Sequence, residues 1–113
     1  MFEQALALAL ALPGAAEEDH HGFPSVRGKG KIFCTLRREP ARMMVKLDTE
    51  DQHNFCQAHP EAVEPVPAYW GRKGATFVAC DRIDEALAAT LLRLAWTRVA
   101  PKALREQPIR SRS

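Results

Sequence analysis

The segment KIFCTLRREPARMMVKL, residues 31–47, decides the fold of this chain. Two apolar runs flank a polar turn that contains Pro40, a pattern that predicts two antiparallel strands joined as a hairpin. One register places six apolar side chains on a single face of this hairpin. The pairs in that register are Ile32 with Leu47, Cys34 with Val45, and Leu36 with Met43. A slip of one residue would expose the whole set, so we expect this register.

The same register directs a mostly basic set of side chains to the opposite face of the hairpin. These residues are Lys31, Phe33, Thr35, Arg37, Arg42, Met44 and Lys46. Cations beside an aromatic ring suit a nucleic acid, because phosphates bind the cations while a base or sugar stacks on the ring. The alternative is an ordinary solvated sheet face, with Phe33 and Met44 packed under a loop formed by residues 60–74.

The segments before the hairpin predict a helix and a short strand. Residues 2–12 are rich in Ala and Leu, which favour helix, and Pro13 and Gly14 end the pattern. The acidic residues 17–19 are expected in a loop, and residues 24–27 are expected to form the short strand. A helix and a third strand therefore precede the hairpin.

The segments after the hairpin predict two helices and a further strand. Thr49 and Gln52 have the spacing of a capping box, which begins a helix that ends before Pro60. Asp81 or Asp84 caps the last helix. The loop, strand and helix expected after Pro60 occupy residues 60–74, 75–80 and 84–100, in that order.

This order of elements predicts an α+β fold, a two-layer sandwich in which helices pack on one face of an antiparallel sheet. The other sheet face is then free to meet solvent or a ligand. The chain has 113 residues, of which 46% are hydrophobic and 27% charged, which excludes a disordered chain or a coiled coil. We expect a single domain over residues 1–105, followed by a flexible tail at residues 106–113.

The three cysteines and the apolar start of the chain bear on its location. An odd cysteine count without a secretion signal predicts free thiols in a reducing cytosol. The apolar run at residues 5–12 follows an acid rather than a cation, and it is too short to span a bilayer. We therefore expect a cytoplasmic protein that is neither exported nor inserted into a membrane.

Charge is distributed unevenly, although the net charge is only +2. Residues 27–46 contain seven basic residues and one acidic residue, whereas residues 48–64 contain five acidic residues and no Lys or Arg. Such an uneven distribution of charge indicates a binding surface for a partner more strongly than the net charge does. One interpretation is a protein-interaction adaptor, in which the two segments pair between molecules.

The expected loop at residues 60–74 carries a second basic and aromatic cluster. Tyr69 and Trp70 precede Arg72 and Lys73, with glycines between and after them. Backbone amides near glycine approach phosphates closely, so these cations would extend the basic surface. The alternative is that both rings fasten the loop to the core.

Histidines provide the remaining candidate chemistry. His20 and His21 follow three acids, and with Trp70 they could line a pocket for a small molecule or a reaction. No matched nucleophile accompanies them, so no catalytic residue is assigned. A third candidate is a metal site formed by His53, Cys56 and His59. On a helix these side chains lie at positions i, i+3 and i+6, which are too far apart to converge well on one metal ion.

Six short segments between about residues 5 and 103 form a pattern that is distinctive in its order and spacing. They are ALALPG at 9–14, EE at 17–18, RGKGKIF at 27–33, VKLD at 45–48, HPEA at 59–62 and AWTRVAPK at 95–102. With these segments, the chain as a whole resembles the MmcQ/YjbR family. The resemblance implies a small CyaY-like or frataxin-like sandwich, often described as a "double wing" DNA-binding fold. It brings no established catalytic residues. Iron binding of the frataxin type would need an acidic first helix, but residues 2–12 contain only Glu3, so no metal or other cofactor is expected.

The leading hypothesis is a non-enzymatic DNA-binding protein. Its expected nucleic-acid-binding residues are Lys31, Phe33, Arg37, Arg38, Arg42, Lys46, Arg72 and Lys73. The cations would contact phosphates, and Phe33 would stack on a base or sugar. The rival hypothesis is a small-molecule-binding or catalytic protein that uses His20, His21 and Trp70.

Overall fold

A computed structural model describes residues 2–20 and 22–106 of the chain. The strands are β1 (Ala15–His20), β2 (Phe23–Gly28), β3 (Lys31–Arg37), β4 (Arg42–Lys46), β5 (Val63–Pro65) and β6 (Ala75–Ala79). The helices are α1 (Phe2–Leu10), α2 (Thr49–Ala58), α3 (Tyr69–Arg72), α4 (Glu85–Val99) and α5 (Lys102–Arg105), with a 3-10 turn at Cys80–Arg82. All strands form one antiparallel sheet, with the order β1-β2-β3-β4-β6-β5.

The fold is an α+β two-layer sandwich, as the sequence predicts. Helices α1 and α4 pack together and against one face of the sheet. Trp96 of α4 is almost fully buried, and its Nε1 donates a hydrogen bond of 2.8 Å to the carbonyl of Pro13. This bond ties the end of the first helical segment to the last long helix. Within residues 2–20 and 22–106, no helix has the length and apolar character needed to cross a membrane.

The hairpin of β3 and β4 has most of the predicted register. Cys34 pairs with Val45 and Leu36 with Met43, and all four side chains are buried, which confirms those two pairs. The third pair is wrong, because β4 ends at Lys46 and the ladder stops at the Cys34 pair.

The predicted outward orientation of Phe33 is also wrong. The register between β2 and β3 shifts after Val26, so that Cys34 pairs with Val26 while Ile32 pairs with Arg27. Phe33 is the extra residue of this β-bulge, and its side chain is completely buried. A bulge lets two consecutive side chains face the core, which buries a large aromatic ring together with Cys34. Ile32 moves to the opposite face as a result.

Two segments that were expected as loops contain regular structure. Residues 17–19 belong to β1, which forms an edge strand paired with β2. The segment 60–74 contains β5 and the short helix α3. Neither segment has the alternation of apolar and polar residues that identifies a half-buried strand.

The N-cap of α2 differs from the predicted residue, and the N-cap of α4 is one of the two predicted candidates. Asp48, rather than Thr49, is the N-cap of α2, and its side chain accepts from the backbone N–H of Asp51. Asp84, rather than Asp81, caps α4 by accepting from the N–H of Leu87. In both helices the cap satisfies a backbone donor of the first turn.

Candidate nucleic-acid interface

The face of the sheet opposite α1 and α4, here called the outer face, carries both cations and apolar side chains. Thr35, Met44 and Phe77 are neighbours across β3, β4 and β6, and Arg37 pairs with Arg42 on an adjacent row. Because side chains alternate along a strand, these residues point away from the buried set of the same strands. The outer face is therefore where the hairpin presents its cations.

Arg37 and Arg42 are direct cross-strand partners, and both guanidinium groups stack on aromatic rings. The Cζ of Arg37 lies 4.4 Å from the centroid of Phe23, and the Cζ of Arg42 lies 4.0 Å from that of Phe77. Directly opposite residues have Cα atoms roughly 5 Å apart. Phe23 lies in β2 and Phe77 in β6, on opposite sides of the hairpin, so the two guanidinium groups lean away from each other. The rings hold each guanidinium by a cation–π contact without neutralising it.

Neither of these arginines forms an ion pair with a carboxylate among the residues that the structure describes. Glu61 and Glu64 line one hollow together with Arg42, and Glu39 lines another together with Arg37. None of these carboxylates is in an ion pair with either arginine among the described residues, so both guanidinium groups remain available to an anion.

Lys46 lies further along β4 on the same face and lines an open cavity of about 390 Å³. The residues that line this cavity are Ile32, Thr35, Met44, Lys46, Val66, Trp70, Ala75 and Phe77. Lys46 is the one charged residue in this set. The cavity therefore combines a mostly apolar lining with one cation.

Helix α3 holds Trp70 at one wall of that cavity. The side chain of Gln52 is buried, and its Nε2 donates to the carbonyls of Gly71 at 2.9 Å and Ala75 at 3.0 Å. A Cβ at Gly71 would lie 1.8 Å from the carbonyl oxygen of Val66, so only glycine permits this close approach. The side chain of Trp70 remains 63% exposed although the backbone that carries it is fixed.

Arg38 lies apart from the other predicted phosphate contacts. Its guanidinium forms an exposed ion pair with Glu3 and stacks 4.2 Å from the ring centroid of Phe2, both in α1. Lys31 is exposed at the start of β3, on the position before the outward Ile32. The hairpin cations are therefore divided between the two sides of the sheet.

The cations after Trp70 are exposed at the end of α3. The Nζ of Lys73 lies 5.5 Å from the ring centroid of Tyr69, and Arg72 lines a shallow hollow with Gln52 and Pro65. Tyr69 is 53% exposed, Trp70 is 63% exposed, and the two rings meet edge-to-face at 5.2 Å, so the burial of these rings does not favour the alternative in which they fasten the loop to the core. Gln52 has that role instead.

The predicted histidine pocket falls partly outside the described residues. The backbone of His20 ends β1 opposite Phe23, and His21 is not among the described residues. The described lining of the Trp70 cavity comes from β3, β4, β6 and the segment before and within α3. Among the described residues, no three His, Cys, Asp or Glu side chains lie close enough together to hold a metal ion.

The three cysteines are free thiols in different environments. Cys34 and Cys80 are fully buried, and burial raises the pKa of Cys80 to about 11 and that of Cys34 still further above its usual value. Cys56 on α2 is partly exposed, and partial burial together with the nearby Glu64 raises its pKa. A raised pKa leaves less of the reactive thiolate at neutral pH.

We therefore expect a thiol reagent such as DTNB to label one cysteine, Cys56, in the folded protein and all three after denaturation. The labelling rate should increase as the pH rises through the raised pKa of Cys56, because the thiolate is the nucleophile. Cys56→Ser is the control and should remove the fast phase. Rapid labelling of Cys34 or Cys80 in the native protein would contradict the burial described above.

Sequence reasoning missed the aromatic partners of the arginines. Phe23 and Phe77 lie in strands on either side of the hairpin, and their contacts with Arg37 and Arg42 depend on the pairing of β2 and β6 with it. The alternation around Phe77 could have indicated its face, because Val78 beside it is a typical buried strand residue. Which strands flank the hairpin is a property of the whole fold.

Comparison with known proteins supports the same fold. The crystal structure of Deinococcus radiodurans protein DR2400, which contains a DUF419 domain, superposes with a TM-score of 0.69 at 20% sequence identity. The match covers 88% of this chain and 81% of that chain. No curated protein matches the sequence. The sequence model of the YjbR family matches residues 10–98, which is most of the chain. The chain therefore belongs to the YjbR family.

Proposed function

We propose that the protein is a non-enzymatic DNA-binding protein whose outer face contacts the sugar–phosphate backbone of a single strand. The observation that supports this most directly is the cross-strand pair of Arg37 and Arg42, neither of which forms an ion pair with a described carboxylate. A polyanion can bind both guanidinium groups at once, because successive phosphates of its backbone each provide a negative charge.

The stacked geometry leaves both arginines suited to phosphate. A cation–π contact uses the flat face of the guanidinium, so its N–H groups at the edge remain available as donors. Lys46 follows Arg42 by four residues on the same strand, which corresponds to roughly 13 Å between their Cα atoms. Three cations thus line a path along β4 and its neighbour.

An extended single strand fits this surface better than a duplex. Unstacked bases can reach an exposed ring, whereas bases within a duplex are already stacked on one another. Trp70 takes the stacking role that was expected of the buried Phe33. Arg72 and Lys73 extend the surface beyond Trp70, while Arg38 is engaged with α1.

The salt dependence of binding to a fluorescently labelled single-stranded oligonucleotide tests the proposal. Three phosphate contacts predict that the logarithm of the association constant falls with the logarithm of salt concentration with a slope of about −2. Affinity should therefore decrease about 20-fold between 50 and 200 mM salt. Fluorescence anisotropy measures both quantities, with a duplex of the same length for comparison. Absence of binding at 50 mM salt, or binding that salt does not change, would refute the proposal.

A further inference from the structure

We propose that the cavity beside Trp70 is a pocket for one nucleotide, that is, a planar heteroaromatic ring that carries a phosphate. The inference deepens the proposed function and rests on it where the nucleotide is a unit of a DNA strand. A free mononucleotide has the same chemistry, and the experiments below separate these two sources.

The interior of the cavity suits a flat ring. Met44 and Phe77 are cross-strand neighbours at its floor, and Ile32 lies beside them because the bulge at Phe33 turned it outward. Thioether and aromatic groups contact π-systems favourably. The guanidinium of Arg42 stacks 4.0 Å from the ring centroid of Phe77, so a cation lies beside these apolar groups. A ring placed here would remove these apolar groups from water.

Trp70 gives the cavity a wall that can stack. Its indole is 63% exposed although it lines an apolar cavity, so a ligand ring could cover much of it. Tyr69 contacts the indole at an interplanar angle of 80°, an edge-to-face arrangement that restrains the orientation of Trp70. Stacking between a base and an aromatic side chain tolerates every base, so the pocket should show little base preference.

The wall is fixed before a ligand arrives. The two hydrogen bonds from Gln52 and the close packing of Gly71 on Val66 hold the backbone of α3. A preformed wall lowers the entropy lost on binding. The backbone that carries the indole therefore needs little rearrangement when a ring binds.

The cation of the lining identifies the anionic part of the ligand. Lys46 lines the same cavity as Trp70, and Arg42 precedes it by four residues on the outer face of β4. A ring in the cavity thus places its attached phosphate beside a cation. The cavity volume of about 390 Å³ lies within the range of small-ligand sites, which favours one nucleotide unit rather than several.

The first experiment uses adenosine 5′-monophosphate as the probe and the fluorescence of Trp70 as the signal. Trp96 is buried and serves as an internal reference. A Trp70→Phe variant shows the fluorescence of Trp96 alone, because the chain has two tryptophans. We expect the monophosphate to quench the wild-type signal, while ribose 5-phosphate, which lacks the base, leaves it unchanged. Absence of quenching by the monophosphate would overturn the proposal for the free nucleotide.

A matched pair of substitutions at Thr35 tests the cavity itself. Thr35→Phe fills the cavity from the middle of the sheet without changing any charge, and we expect affinity for the probe to fall about tenfold or more. Thr35→Val keeps the shape and should retain the affinity. Thermal unfolding of both variants checks that the fold is intact. Equal affinity in both variants would place the ligand elsewhere and overturn the proposal.

The second experiment compares a single-stranded oligonucleotide with an abasic one of the same length and charge. If a base of the strand enters the pocket, the abasic strand binds about tenfold more weakly, and Thr35→Phe removes that difference. Equal binding of the two strands would overturn the pocket as a base site and leave the phosphate contacts intact. Quenching by the monophosphate without binding of either strand would support the pocket for the free nucleotide and refute the proposed DNA-binding function.

Discussion

The double variant Arg37→Glu/Arg42→Glu is expected to bind single-stranded DNA about 60-fold more weakly than the wild type at 50 mM salt. Each phosphate contact releases about 0.7 counterion, which corresponds to about eightfold in affinity at 50 mM relative to 1 M salt. Loss of two contacts lowers the affinity by the product of two such eightfold factors, and the introduced carboxylates also repel the phosphates. The slope of the salt dependence should decrease by about 1.4 in magnitude. Fluorescence anisotropy over 25 to 300 mM salt measures both effects.

A matched control separates a local contact from a change in net charge. Arg93 on α4 and Arg105 on α5 are exposed, and their double replacement by Glu changes the net charge by the same amount. This control should retain most of the affinity, because its substitutions lie outside the outer face. An equal loss in both double variants would show that binding depends on overall charge, contrary to the proposed site.

Stability should decrease by about 1–2 kcal/mol in the Arg37→Glu/Arg42→Glu variant. The cation–π contacts with Phe23 and Phe77 are lost, and such contacts contribute about 0.5–1 kcal/mol each. Binding is therefore compared at a temperature at which thermal unfolding shows that the variant is fully folded, so that the loss of binding is attributed to the missing phosphate contacts.

The hairpin illustrates how far the sequence determines the outer face. Alternation of apolar residues correctly predicted the pairs Cys34–Val45 and Leu36–Met43, and with them the shared face of Arg37 and Arg42. It failed at Phe33, because strict alternation assumes an unbroken ladder. A bulge depends on the neighbouring strand and on the core that receives the extra side chain, so local patterning does not encode it.

The space that receives Phe33 is a property of the packed fold. A Cβ added at Gly28 would meet side-chain atoms of Val99, Trp96 and Phe33 within 3.7 Å, so the missing side chain of Gly28 leaves room for these three. Trp96 and Val99 belong to α4, far along the sequence. Their convergence on Gly28 could not be derived from the segment around residue 33 alone.

The partners of charged residues were equally hidden from the sequence. Nothing local distinguishes Arg38, which pairs with Glu3 across 35 positions, from Arg37 beside it. Consecutive residues of a strand face opposite sides of the sheet, but β3 ends at Arg37, so this alternation does not determine where Arg38 points. The side chain of Gln52 had the spacing of a capping residue, yet it is buried and bonds carbonyls 19 and 23 residues away. Tertiary packing overrode the local signal in both cases.

Gly74→Ala is expected to destabilise the protein by roughly 3–4 kcal/mol. Gly74 has a φ of +105°, and a Cβ at this position would lie 1.9 Å from the carbonyl oxygen of Leu47. The backbone must therefore move. Because the N–H of Leu47 donates to the carbonyl of Gly74 at 3.0 Å, that movement breaks the junction between the end of β4 and the start of β6.

Gly30→Ala is the matched control, because it isolates the conformational part of the cost. Gly30 also has a positive φ, +91°, but a Cβ there would meet nothing within 4 Å. Its replacement should cost about 1–2 kcal/mol, the usual strain of a left-handed non-glycine residue. Urea unfolding measures both free energies, with an unchanged m-value as the sign that the folded and unfolded states are comparable. Equal losses in the two variants would contradict the steric argument at Leu47.

The junction at Gly74 also connects stability with the candidate site. The carbonyl of Gly74 accepts from the Oγ1 of Thr76 at 2.9 Å, and the carbonyl of Leu47 accepts from the Nη1 of Arg98 at 2.5 Å. Gly74 directly follows the segment that carries Trp70, so a shift there moves the stacking wall relative to Lys46. We therefore expect Gly74→Ala to reduce nucleotide-induced quenching of Trp70 under conditions where the variant is still folded, whereas Gly30→Ala preserves it.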